Sequence, residues 1–217
     1  MPHFMSTPVL QTKLPRVGTT VFSVMSALAA EHGAINLGQG FPDFGCDPRL
    51  IEAVTAAMKQ GHNQYPLMTG VPLLRQRVAE KIEAMHGVRY DANTEVTITS
   101  GATQGILSAI LAVVRPGEEA IVLEPCYDSY IPNIELAGGK AIPVPLLPGS
   151  FAPDFDAISR AITAKTRAII VNSPHNPSGR VWTAAQWETL AGLIDGRDIW
   201  LFSDEVYEHM EIGRAHV

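Results

Sequence analysis

The sequence predicts an α/β protein: a largely parallel sheet covered by helices on both faces, preceded by an N-terminal arm. Two observations carry this. From Glu95 onward, short apolar runs alternate with stretches of helical spacing, and strands joined through helices run parallel and need cover on both sides. The first 45 residues instead mix Pro and Gly with short apolar pieces, the composition of an arm.

Within the arm only 20–31 has helical spacing, through Phe22, Met25, Leu28 and Ala29. Asp47-Pro48 then supplies an N-cap followed by a proline at the first helical position, opening a helix that runs to about Gly61. After a loop over 63–70, a second helix is expected over 71–87. The alternation follows: strand 96–99, helix 103–114, strand 120–123, helix 129–137, strand 141–144, helix 154–163, strand 167–172, helix 183–193 and strand 199–202. Ligands of such sheets sit beyond the carboxyl ends of the strands. Three motifs fall there, at 100–104, 173–179 and 203–207.

At 217 residues, 46% hydrophobic and 18% charged, the chain can bury a substantial core. Its formal charge of −6, without a block of like charges, gives no footprint for nucleic acid or an anionic membrane. No stretch reaches the length of a membrane-spanning helix, and 1–11 lacks the charged start and apolar centre of a secretory signal. A cytoplasmic location is therefore expected. Cys46 and Cys126 belong to no C-x-x-C pair or Cys/His cluster, so reduced thiols are expected and no metal site.

Each motif has a chemical reading and a bland one. Ser100-Gly101-Ala102-Thr103 joins a strand to a helix through small residues, so backbone N–H groups at the helix start can approach a phosphate; the bland reading is a turn with a Thr cap. Tyr127 follows a strand end, where its ring can stack on a planar heterocycle or simply pack. In His175-Asn176-Pro177-Ser178-Gly179 an amide donor sits in a turn fixed by proline and freed by glycine, although N-P is a common turn signal. Asp204, with Tyr207 three residues on, follows an apolar run; a carboxylate there can keep a pyridine nitrogen protonated, or can merely favour a helix dipole. Leu37-Gly38-Gln39-Gly40-Phe41-Pro42-Asp43-Phe44 and Asn63-Gln64-Tyr65 would ordinarily be surface loops.

In this order the motifs closely resemble the pyridoxal-phosphate aminotransferases of fold type I, class I/II, over about 14–210. The words L-G-Q-G-F-P-D-F, N-Q-Y and P-H-N-P-S are most similar to the branch of methionine and kynurenine aminotransferases. That resemblance implies a fold type I large domain, pyridoxal 5′-phosphate as cofactor and a homodimer with shared sites. It also implies transfer of an amino group from a large neutral amino acid (methionine, aromatic, kynurenine or glutamine) to a 2-oxo acid. By the same resemblance Gly101, Ala102 and Thr103 cradle the cofactor phosphate, Tyr127 covers the ring, Asp204 pairs with the ring nitrogen, and Asn176 and Tyr207 meet the phenolic oxygen. Gly40 lies near the substrate carboxylate, and Tyr65 crosses to the neighbouring subunit's phosphate. Phe22 lines the pocket or the core. The arm over 1–45 would serve a small domain and the substrate site, and 46–210 would form part of the large cofactor-binding domain.

Lys13, Lys59, Lys81, Lys140 and Lys165 all precede Asp204, and none matches the lysine that in the family anchors the cofactor and moves the α proton. No catalytic residue is therefore assigned, and the chain alone is expected to be truncated and inactive, with an unpaired strand flank at 199–202 that favours aggregation. The segment 211–217 is what a common short-read sequencing adapter encodes in one frame, so a non-native tail is expected there. A genuine short paralogue is the rival. The alternative functions are a carbon–sulfur β-lyase of the same fold and a non-catalytic half-domain that binds cofactor or a partner.

Overall fold

The apolar runs after residue 118 pair as one parallel sheet. In the computed structural model, which describes residues 11–15, 17–40, 42 and 44–210, the strands are β1 (Glu119–Glu124), β2 (Lys140–Pro145), β3 (Thr166–Asn172) and β4 (Trp200–Asp204), in the order β2-β1-β3-β4. The expected non-native tail at 211–217 lies outside the described residues, as do Phe41 and Asp43 of the glycine-rich arm motif. From β1 the chain winds to β2 on one side, and β3 then returns to the other side of β1. The winding thus reverses between β1 and β3, the place where open parallel sheets bind ligands beyond their carboxyl ends.

Successive strand residues face opposite sides of the sheet, and each side has its own core. Ile121, Leu123, Ile169 and Val171 pack with Ile158 of α6 (Phe155–Ala161) and Leu190 of α7 (Ala184–Ile194). Their neighbours Ala120, Val122, Ala168 and Ile170 pack with Ile110 of α4 (Ala102–Val113) and with Tyr130 and Ile134 of α5 (Tyr130–Leu136). The α7 start is held by a reciprocal pair: Thr183 accepts from the Gln186 N–H, and the Gln186 side chain accepts from the Thr183 N–H.

Among the described residues, three helices precede this unit: α1 (Val21–Glu31), α2 (Pro48–Lys59) and α3 (Pro72–His86). Asp47 caps α2 as expected, accepting from the Arg49 N–H at 2.8 Å. Gly87, at φ 69°, closes α3. One expectation is corrected. Residues 96–99 are not a strand and pair with none of the four strands; the Ile98 N–H donates to the Thr69 carbonyl at 3.0 Å. Gly70 makes this possible, since at φ +101° a side chain there would come within 2.6 Å of Ile98 Cγ1. Among the described residues no helix is long and apolar enough to cross a membrane.

Candidate functional site

At the carboxyl ends of β1, β3 and β4 lies a cavity of about 190 Å3. Of the cofactor-contacting residues expected from the sequence, Ala102, Thr103, Tyr127, Asn176, Asp204 and Tyr207 line it, together with Ile106, Asn172 and Val206. Residues as far apart in sequence as Ala102 and Tyr207 are brought together because each follows a strand end or opens a helix facing the same crevice. Gly101 stands next to the lining as the N-cap of α4, at φ 84°, a conformation suited to glycine. Gly40 and Tyr65 are elsewhere: neither lines this cavity, and Tyr65 is 99% exposed. Phe22 is also exposed. A larger cavity of about 590 Å3 shares Asn176 and Tyr207 and is bounded by Pro174, Val181 and Met210.

Asp204 is the last residue of β4 and pairs in register with Asn172 of β3. Its Oδ2 accepts from the Tyr130 hydroxyl at 2.5 Å, and its Oδ1 accepts from the Val206 N–H at 3.2 Å. Burial first, and then the bond to Asp204, push the ionisation of Tyr130 well above its ordinary value of 10.0, so this phenol stays a donor. The Tyr130 ring also meets Tyr127 edge-on, with centroids 5.7 Å apart. Tyr127 is further tied to the first turn of α4, its hydroxyl lying 3.2 Å from Thr103 Oγ1. One buried tyrosine therefore orients both a carboxylate and an aromatic face of the cavity.

The loop after β3 is fixed from two sides. The Asn172 side chain accepts from the Asn176 N–H at 2.6 Å and donates to the Asp204 carbonyl at 2.8 Å. His175 Nε2 lies 2.9 Å from the Pro125 carbonyl, which can only accept; the ring is thus protonated at Nε2, and Nδ1 accepts from the Ser178 hydroxyl at 2.6 Å. Burial lowers the His175 pKa, consistent with a neutral ring. His175 thus supports the turn. Cys126, beside Tyr127, has its thiol pushed up to about 11 by burial and then by Glu124 and Asp128, which leaves it protonated and unreactive.

Sequence reading missed Tyr130 and Asn172. Tyr130 carries one local signal, an aromatic residue opening a helix three residues after Tyr127. Asn172 carries the signal of a polar residue closing an apolar strand run.

Residues 32–217 match the family described as Aminotransferase class I and II. The chain is 46% identical over 204 residues to the methionine aminotransferase of Escherichia coli K12, covering 94% of this chain and 53% of that protein. It is 45% identical to a probable N-succinyldiaminopimelate aminotransferase of Mycobacterium tuberculosis, covering 94% and 52%. A crystal structure of a methionine aminotransferase from Escherichia coli superposes with a TM-score of 0.93 at 44% identity, covering 97% of this chain and 56% of that one. The chain spans about half the length of the curated relatives it matches.

Proposed function

Since the chain belongs to the class I and II aminotransferase family, we propose that it supplies the cofactor-holding part of a pyridoxal 5′-phosphate-dependent transaminase. The enzyme takes the amino group of a large neutral amino acid, methionine or an aromatic one foremost, and delivers it to a 2-oxo acid. The observation that carries this reading is the donor set of the 190 Å3 cavity: an aromatic face lies between an anchored carboxylate and the N-terminus of a twelve-residue helix. That arrangement fits a planar, phosphorylated pyridine.

Thr103 and the backbone N–H groups opening α4 hold the phosphate. Tyr127 covers the ring face, and Asp204, whose Oδ2 accepts from the Tyr130 hydroxyl and whose Oδ1 accepts from the Val206 N–H, offers the second lone pair of Oδ1 to the ring nitrogen. Asn176 and Tyr207 donate to the phenolic oxygen. When bound there, the cofactor supplies the electron sink for the bond broken at the substrate's α carbon. Gly40 serves the substrate carboxylate, and Tyr65 the phosphate site of a second copy in a homodimer. The arm over 1–45 belongs with the substrate site, and 46–210 with the cofactor-binding domain. We place the reaction in the cytoplasm. Among the described residues no lysine lines the cavity, so this chain by itself holds the cofactor without turning over substrate.

The preference for a neutral donor is supported by the likeness to methionine aminotransferase. The test extends the chain at its C-terminus to the length of its relatives, loads it with cofactor and offers methionine or phenylalanine with several 2-oxo acids. Formation of the corresponding 2-oxo acid is expected. No conversion of either would sink the substrate assignment, and pyruvate with ammonia released from cysteine conjugates would mark a carbon–sulfur β-lyase instead.

A further inference from the structure

Asn172 closes β3 and is 6% exposed, yet both halves of its side-chain amide are used. Oδ1 accepts from the Asn176 N–H at 2.6 Å, while Nδ2 donates to the Asp204 carbonyl at 2.8 Å. Only this orientation sets a donor against each acceptor; the flipped amide would oppose like groups on both sides. The Asp204 carbonyl also accepts from the Ser173 N–H at 3.1 Å, so both of its lone pairs are taken. A single buried amide thus splices the loop carrying Asn176 to the strand end carrying Asp204, at the last rung of the β3–β4 ladder.

On the cofactor reading above, Asn176 and Asp204 grip the ring at two different atoms, the phenolic oxygen and the ring nitrogen. Their separation must match a rigid heterocycle, and neither residue fixes it alone. We propose that Asn172, although it lines the cavity, is a positioning residue that sets this separation: both halves of its amide are taken, so it acts on cofactor affinity through Asn176 and Asp204. Leucine would fill a similar volume but would leave the Asn176 N–H buried without its acceptor, and a carboxylate would set an oxygen against the Asp204 carbonyl.

The test uses the 217-residue chain and pyridoxamine 5′-phosphate, with binding followed by quenching of protein fluorescence. Asn172→Ala should weaken binding roughly tenfold, the scale of two modest hydrogen bonds. In an Asn176→Ala background the same substitution should cost only about twofold, because part of what it positions is gone. Equal losses in the two backgrounds would mean a merely structural role and would overturn the inference, as would an unchanged affinity. If Asn172→Ala does not fold, Asn172→Asp carries the test: the Asn176 amide should stay protected from hydrogen exchange while binding weakens, and wild-type affinity would overturn the inference. An unsubstituted chain that does not bind the probe overturns the cofactor reading and this inference with it; binding indifferent to Asn172 overturns this inference alone.

Discussion

The helices before residue 100 and those after it are patterned alike and end differently. Along α2, Leu50, Ile51, Val54 and Met58 form one apolar face, and all four are more than half exposed; neither α1 nor α2 contains a buried residue. In α4, α5 and α7, by contrast, Ile110, Ile134 and Leu190 are each at 0% exposure. Helix propensity does not separate the two sets. What separates them is the sheet, which offers the later helices an apolar face built from every second strand residue. A helical stripe records that a face is suited to burial, and tertiary pairing decides whether the chain itself supplies the burial.

The largest effect should appear when each region loses one aliphatic side chain. Ile169, at 0% exposure in the centre of β3, contributes through a packed core, so Ile169→Ala should cost about 2–5 kcal/mol in urea unfolding. Leu50→Ala on the open face of α2 should stay within about 0.5 kcal/mol. A loss at Leu50 as large as that at Ile169, rising with protein concentration, would break the comparison by showing that this face is covered in solution by another copy.

A smaller effect separates the two tyrosines of the site. Tyr130→Phe removes the donor to Asp204 Oδ2 and should cost about 1–3 kcal/mol, whereas Tyr127→Phe, losing an exposed 3.2 Å contact, should cost less than about 0.5 kcal/mol. The pH profile sharpens this. Because the folded-state pKa of Tyr130 is raised, its contribution is complete below its ordinary value of 10.0 and is lost as pH climbs from there; Tyr130→Phe should flatten that alkaline limb. His175 has the opposite sign: its folded pKa is lowered by burial, so stability is full above its ordinary 6.5 and is lost as pH falls through the depressed value. His175→Gln should flatten the acid limb, and an unchanged limb would show that the buried neutral ring is not what titrates.

The strands were legible where apolar runs were long enough to be nothing else, and 96–99 was misread because β-branched content says nothing about which carbonyl an amide will find. That segment bonds the Thr69 turn instead of the sheet. In the candidate site, Thr103, Tyr127, Asn176, Asp204 and Tyr207 line one crevice, since motifs at strand ends converge by topology alone. Gly40 and Tyr65 could not be placed this way, because they precede the sheet and no strand carries them to its edge. Tyr130 and Asn172 were missed for a different reason. Their roles lie in hydrogen bonds to a residue 74 and 32 positions away, and such pairings follow from strand order, which only the fold reveals.

The smallest difference is also the most discriminating, because it compares two similar devices in the two regions. Asp47 and Thr183 both cap a helix through a side-chain oxygen, and both would lose that cap on substitution by alanine. Thr183 opens α7, whose Leu190 is sealed against the sheet, so unravelling the first turn disturbs the global core. Thr183→Ala should therefore lower the unfolding free energy by about 1 kcal/mol, visible in the cooperative urea transition. Asp47 opens α2, which has no buried residue, so its helix can fray without the sheet unfolding. Asp47→Ala should speed amide hydrogen exchange over the first turns of α2 and leave the cooperative transition in place. If instead Asp47→Ala shifts that transition as far as Thr183→Ala does, α2 folds as one unit with the sheet, and the contrast between the two regions is a matter of surface cover rather than of cooperativity.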